Sequence, residues 1–151
     1  MIVINNARIF DGEKELEENS IIIDNNIIKE VGSNLKSSHS TNIINAKGNF
    51  LMPGLIDAHF HANTPSYDFY ASDRMPPSLI AAHAAQILTG VLKRGYTTIR
   101  DAGGGDIGLK LALDAKLIEG PRFFYPGKAI TQTGGHGDMR RKDFFEPCGC
   151  A

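Results

Sequence analysis

Residues 51–63 read LMPGLIDAHFHAN, an apolar run entered through Pro53 and Gly54 that ends on two histidines one residue apart. Side chains two apart along a strand share a face, so as a strand this run puts Asp57, His59 and His61 on one side and Ala58 and Phe60 on the other. The Cα atoms of the two histidines then lie roughly 7 Å apart, a gap that two imidazole arms close on one ion at about 2.0–2.1 Å from each nitrogen. An HxH pair on its own reads more simply as two satisfied polar residues closing a strand. A parallel strand buried on both faces is near-continuously apolar, however, so three ionisable groups on one face imply that this face meets a polar site. In α/β folds that site lies at the C-terminal ends of the strands, which is where these residues fall.

After the histidines comes a loop, residues 62–77, holding Tyr67, Phe69 and Tyr70, which reads equally well as a lid over the site or as surface packing. Residues 77–95, PSLIAAHAAQILTGVLKRG, set Leu79/Ile80, His83/Ala84, Ile87/Leu88 and Val91/Leu92 in one apolar stripe at helical spacing. Lys93 and Arg94 suit the negative end of that helix, and Gly95 suits its left-handed cap. YTTIRDAG, 96–103, is a second, β-branched strand ending at Asp101, which reads as a turn-former or as a carboxylate supporting the site from behind. Asp106 caps a second helix carrying Leu109, Leu111, Leu113, Leu117 and Ile118, expected to stop at Gly120 and Pro121. RFFYPGKAIT, 122–131, is a third strand, and QTGGHGD, 132–138, places His136 on a glycine-rich loop at the same end of the sheet. This strand–helix alternation is the signature of βαβ units.

Residues 1–49 differ in pattern. IVINNARIF and SIIIDNNIIKEV are short β-rich runs, the second with Asp24, Asn25 and Asn26 between two Ile-rich arms as in a hairpin. A small antiparallel unit is expected here, with a boundary near Asn49.

Four other features invite chemistry. GGGDIG, 103–108, fits GxGxxG between a strand and a helix, but a dinucleotide fingerprint needs an acidic residue about twenty positions on, and FFYPGKAIT has none. The glycines therefore read as a tight loop before the Asp106 cap, and no Gly-Lys-Ser/Thr follows to make a Walker-type phosphate loop. Cys148 and Cys150 flank one glycine and lack the other two ligands of a closed zinc site. His83 reads as a packed core histidine, and His39, in SSHST, as a loop residue.

At 42% hydrophobic and 22% charged, the 151 residues are ordinary for a globular protein. Sixteen basic against seventeen acidic residues, a net charge of -1, give no field that would draw nucleic acid or an anionic membrane. MIVINNARIF does not read as a signal peptide, no apolar run is long enough to span a bilayer, and two close cysteines make no secreted-type disulfide framework, so a cytoplasmic location is expected.

With these pieces in order, the chain resembles the amidohydrolase superfamily of metal-dependent hydrolases. The Pro-Gly-hydrophobic-hydrophobic-Asp-x-His-x-His string of MPGLIDAHFH carries the resemblance, with the β unit before it and the βα alternation after it. TTIRDAGG, GPRFFYPGKAITQTGGHGD and the terminal CGC are similar to a subgroup of prolidase-like dipeptidases and imidazolonepropionase relatives. The resemblance covers essentially the whole chain. It implies an α/β fold: residues 50–151 as the first part of a (β/α)8 TIM-like barrel, about three βα units, and residues 1–49 as part of a β-sandwich.

It further implies one or two divalent metal ions, usually zinc, with His59 and His61 as ligands of the more buried one, and a metal-bound hydroxide attacking an amide carbonyl. His136 would contact substrate near that carbonyl. The implied activity is hydrolysis of C–N bonds in a small-molecule or dipeptide substrate of Xaa-Pro type, with a homo-oligomer compatible with the full-length protein. The alternatives are hydrolysis of a cyclic amide, as in imidazolonepropionase, and an inactive truncated remnant that only binds metal. A full barrel takes about 250 residues, and the family's carboxylated lysine, two further histidines and aspartate belong on later strands. Lys128 and Lys142 come too early to be that lysine. The chain thus reads as an N-terminal portion, whose three open-edged parallel strands would be aggregation-prone alone.

Overall fold

The computed structural model describes residues 1–36 and 42–138; His39, Lys142, Cys148 and Cys150 lie outside the described residues. The chain divides into two compact units, Met1–Pro53 and Gly54–Ala151.

The first unit contains β1 (Ile2–Asn5), β2 (Arg8–Ile9), β3 (Ser20–Asp24), β4 (Ile27–Gly32), β5 (Asn42–Asn45) and β6 (Phe50–Leu51). β4, β3, β1 and β5 form one sheet in that order. The β3–β4 hairpin turns on Asn25 and Asn26, both left-handed at φ 49° and 67°, as a two-residue primed turn requires. β1 runs antiparallel to β3 but parallel to β5, so the sheet is mixed where an antiparallel one was expected. IVINNARIF is not continuous either: Asn6, at φ 56°, breaks it, and Arg8–Ile9 pairs with Phe50–Leu51. Phe50 and Leu51, expected to open the histidine strand, are thus hydrogen-bonded within the first unit. Ala7, Ile9 and Ile21 form the buried cluster, with Leu16, Ile23 and Leu51 packed against it.

The second unit contains β7 (Leu55–Phe60), α1 (Phe69–Asp73), α2 (Pro77–Lys93), β8 (Tyr96–Asp101), α3 (Ile107–Asp114) and β9 (Arg122–Phe124). β7, β8 and β9 form a parallel sheet in chain order, with α2 and α3 as the crossovers between them. Ala84, Leu88 and Val91, one face of α2 at helical spacing, pack with Ala62, Ile99, Leu109 and Phe123 into the core. Full burial of a side chain such as Leu88 is worth about 1.5–3 kcal/mol. His83, expected in that core, is only half-buried, because burial centres on Ala84 and Leu88 and leaves it at the margin. α2 ends at Lys93 with Arg94 as its C-cap, followed by Gly95 at φ 92°, the left-handed position that glycine fills without strain.

α3 begins as expected, with Asp106 Oδ1 accepting from the Leu109 N–H at 3.0 Å, but it stops earlier. Lys116 is left-handed, so Leu117, expected on the helix, lies beyond it and is exposed. β9 is also short, ending before Pro126, which has no N–H to give a ladder. Among the described residues no helix is long and apolar enough to cross a membrane.

Candidate functional site

The end of β7 carries the two histidines, and it is not a regular strand. Between Asp57 and Phe60 it takes three steps while β8 takes two, from Ile99 to Asp101, which is a bulge. Side chains satisfy the backbone groups that the bulge disturbs. The His59 N–H donates to Asp57 Oδ1 at 3.0 Å, and Arg100 Nε donates to the Ala58 carbonyl at 2.8 Å. This corrects the simple alternation: the Asp57 carboxylate is turned onto the backbone and does not line the cavity that His59 and His61 line. β7 is likewise not buried on both faces, since Leu55 and Ile56 are exposed and β7 has one partner, β8, among the described residues.

The His59 and His61 rings meet edge to face, with centroids 5.2 Å apart. His61 Nδ1 lies 3.0 Å from the Gly103 carbonyl oxygen. A carbonyl can only accept, so Nδ1 carries a hydrogen, and in the neutral ring Nε2 keeps its lone pair. A ligating imidazole is commonly arranged in this way.

Both histidines line a cavity of about 570 Å³ together with Phe69, Gly103, Lys128 and His136, a volume within the range of small-molecule sites. The three histidines singled out from the sequence therefore meet at one cavity. Of the three aromatic side chains on residues 62–77 only Phe69 lines it, packing edge to face on His136 with centroids 6.2 Å apart; Asn63, Thr64, Ser72 and Asp73 of the same stretch also line it. Tyr67 is fully exposed, and Tyr70 lies under the Arg74 guanidinium, 3.5 Å from its ring centre.

Asp101 is 1% exposed and touches neither histidine side chain. Its carboxylate accepts the N–H groups of Ala62 at 2.7 Å, Gly103 at 2.8 Å and Gly105 at 3.0 Å. This use of the glycine loop removes the nucleotide reading of GGGDIG. Two of its amides are committed to Asp101, and the following helix start is already capped by Asp106, which leaves no anion cradle of the kind a pyrophosphate needs. Sequence reasoning did not anticipate that Ala62 and Asp101, 39 residues apart, would share this bond.

The donor chemistry fits a divalent metal in part. Two imidazoles, one with its free nitrogen defined, can supply two ligands, but a tetrahedral site takes three or four. Among the described residues no group of three or more His, Cys, Asp or Glu side chains could hold an ion.

Comparison with known proteins adds to this geometry. The Amidohydrolase family model matches residues 50–146. Ochratoxinase from Aspergillus niger is 34% identical over 139 residues, 85% of this chain and 28% of the relative. Dihydroorotase from Trichlorobacter lovleyi is 29% identical over 148 residues, 91% of this chain and 31% of the relative. Among solved structures, a prolidase complexed with N-methylphosphonate-L-proline superposes with a TM-score of 0.90 at 38% identity, over 99% of this chain and 37% of that one. A Xaa-Pro dipeptidase with bound methionine in the active site gives 0.78 at 28% identity, over 96% and 38%. The chain thus spans about a third of the length of these relatives.

Proposed function

Because the chain belongs to the amidohydrolase family, we propose that its second unit is the opening segment of a (β/α)8 barrel in a metal-dependent hydrolase of C–N bonds, acting on Xaa-Pro dipeptides. The observation that carries this reading is the convergence of His59, His61 and His136 on one cavity, beside the C-terminal ends of parallel strands. His59 and His61 would hold the metal, zinc or a similar ion suited to imidazole, with the remaining ligands coming from other parts of the protein. Such an ion, when bound, supplies a lowered water pKa and polarisation of the scissile carbonyl.

The other lining residues act on the substrate. His136 donates a ring N–H to an oxygen of the substrate near the scissile bond, and the edge of Phe69 against its ring restricts its orientation. Phe69 and Ile80 offer an apolar wall that suits a pyrrolidine ring. The similarity to a prolidase at 38% identity supports the dipeptide class, while the similarity to dihydroorotase supports cyclic amides as the second reading. The substrate is a small molecule or dipeptide, free in a cytoplasmic protein that in full length is compatible with a homo-oligomer.

The test is incubation of the intact protein, loaded with zinc, with a panel of Xaa-Pro dipeptides and with dihydroorotate. Release of free proline is expected. Ring opening of dihydroorotate without any proline release would transfer the assignment to cyclic amides, and cleavage of neither would overturn the hydrolase reading for these substrates.

A further inference from the structure

Beside the site, the Asp101 carboxylate is bonded by three backbone N–H groups, two of them from the glycine run 103–105. The Asp101 side chain is 1% exposed and accepts from Ala62, Gly103 and Gly105. These donors are not arbitrary. The Gly103 N–H belongs to the peptide before the Gly103 carbonyl and the Gly105 N–H to the peptide after it, so the carboxylate pins both neighbours of the carbonyl that accepts from His61 Nδ1. The Ala62 N–H belongs to the peptide formed by the His61 carbonyl carbon, so the same carboxylate holds the backbone of the imidazole as well.

We propose that Asp101, acting through the 103–105 loop, is a positioning residue that fixes His61 as the Nδ1–H tautomer and so presents an unprotonated Nε2 to the cavity. The loop can do this only as glycine. A Cβ on Gly105 would lie 2.7 Å from Asp101 Cγ and 2.7 Å from Phe123 Cζ, and one on Gly103 would lie 2.8 Å from Ala129 Cβ. Gly104 is left-handed at φ 101°. The run that imitates a dinucleotide fingerprint is thus a carboxylate cradle whose Gly103 carbonyl selects a histidine tautomer. Without it, His61 would populate the Nε2–H form, in which Nε2 has no lone pair to give a metal. The use of Nε2 as a ligand rests on the proposed function, whereas the tautomer itself does not.

Histidine-selective 15N labelling of the intact, metal-free protein at alkaline pH reads the tautomer directly, with the His61 signals assigned by their loss in His61→Gln. The expected result is one tautomer, Nδ1 protonated, in the native protein, and a mixture or a switch to Nε2–H in Asp101→Asn. Asp106→Ala, which removes a helix cap two residues from the loop's centre, should leave the His61 signals unchanged. Should Asp101→Asn fail to fold, Gly103→Ala takes its place with the same expectation. Zinc affinity, by competition with a chelating dye, should fall about 10–100-fold in the variant that loses the tautomer. An Nε2–H tautomer in the native protein, or an unchanged His61 in both the Asp101 and Gly103 variants, would overturn the proposal. A native protein that shows the tautomer but binds no zinc would overturn the metal reading and leave this one standing.

Discussion

Removing the Asp101 carboxylate should be among the most damaging single changes in the second unit. In Asp101→Ala, three backbone N–H groups, those of Ala62, Gly103 and Gly105, lose their acceptor together. Each buried donor left unpaired costs about 1–3 kcal/mol. The losses would not simply add, because the vacated space has room and donors for a water that satisfies part of the set, so about 2–5 kcal/mol is expected. Asp101→Asn keeps one oxygen for the glycine amides but turns an NH₂ toward the Ala62 N–H, one mismatched donor, for about 1–3 kcal/mol. Against a total stability of about 5–15 kcal/mol, the alanine variant approaches the edge of folding. Urea unfolding followed by far-ultraviolet circular dichroism measures both, provided the slope with denaturant stays constant. Asp106→Ala gives the scale, since loss of one exposed helix cap costs about 0.5–2 kcal/mol. If Asp101→Ala cost no more than Asp106→Ala, the carboxylate would not be holding the loop and the reasoning from its three bonds would be refuted.

Leu88→Ala should lower stability by about 2–5 kcal/mol in the same assay, because Leu88 is fully buried among Ala84, Val91, Ile99, Leu109 and Phe123. Phe69→Ala should raise KM for Xaa-Pro dipeptides more than it lowers kcat, as expected of an apolar wall; steady-state kinetics on a dipeptide series checks it. In the first unit the Arg8 guanidinium donates to both Glu15 oxygens at 2.8 Å, and this hydrogen-bonded partner holds the Glu15 carboxyl below its ordinary value. The folded value being the lower one, the contribution is present above the unfolded value of about 4.3 and is lost as pH falls through the folded one. An NMR titration should find the Glu15 value rising in Arg8→Gln, and falling salt sensitivity with it.

The parts legible in the sequence are those set by local rules. The four-residue stripe of α2, the Asp106 cap, the paired asparagines of the β3–β4 turn and the two-residue spacing of His59 and His61 each depend on neighbours a few positions away. What escaped depends on partners far along the chain. Strict alternation puts Asp57 with the histidines, but the bulge against β8 turns its carboxylate onto the His59 amide. The parallel pairing of β5 on β1 and of β6 on β2 leaves no mark in the runs themselves, and it moves Phe50 and Leu51 out of the histidine strand. From its place at a strand end Asp101 reads as a turn-former or as a supporting carboxylate, and its route to His61, through Gly103, needs a contact 42 residues apart that no local pattern shows. The contact of Phe69 with His136, with α2, β8, α3 and β9 between them in the chain, is likewise beyond any local signal.

That His59 and His61 are the metal ligands of a hydrolase can be tested directly. Metal content and Xaa-Pro hydrolysis should be measured side by side for the intact native protein and the His59→Ala, His61→Ala double variant, both shown to be folded. The expected result is zinc or a similar ion in the native protein, with both metal and activity lost in the variant. Unchanged hydrolysis by the folded double variant would contradict the account.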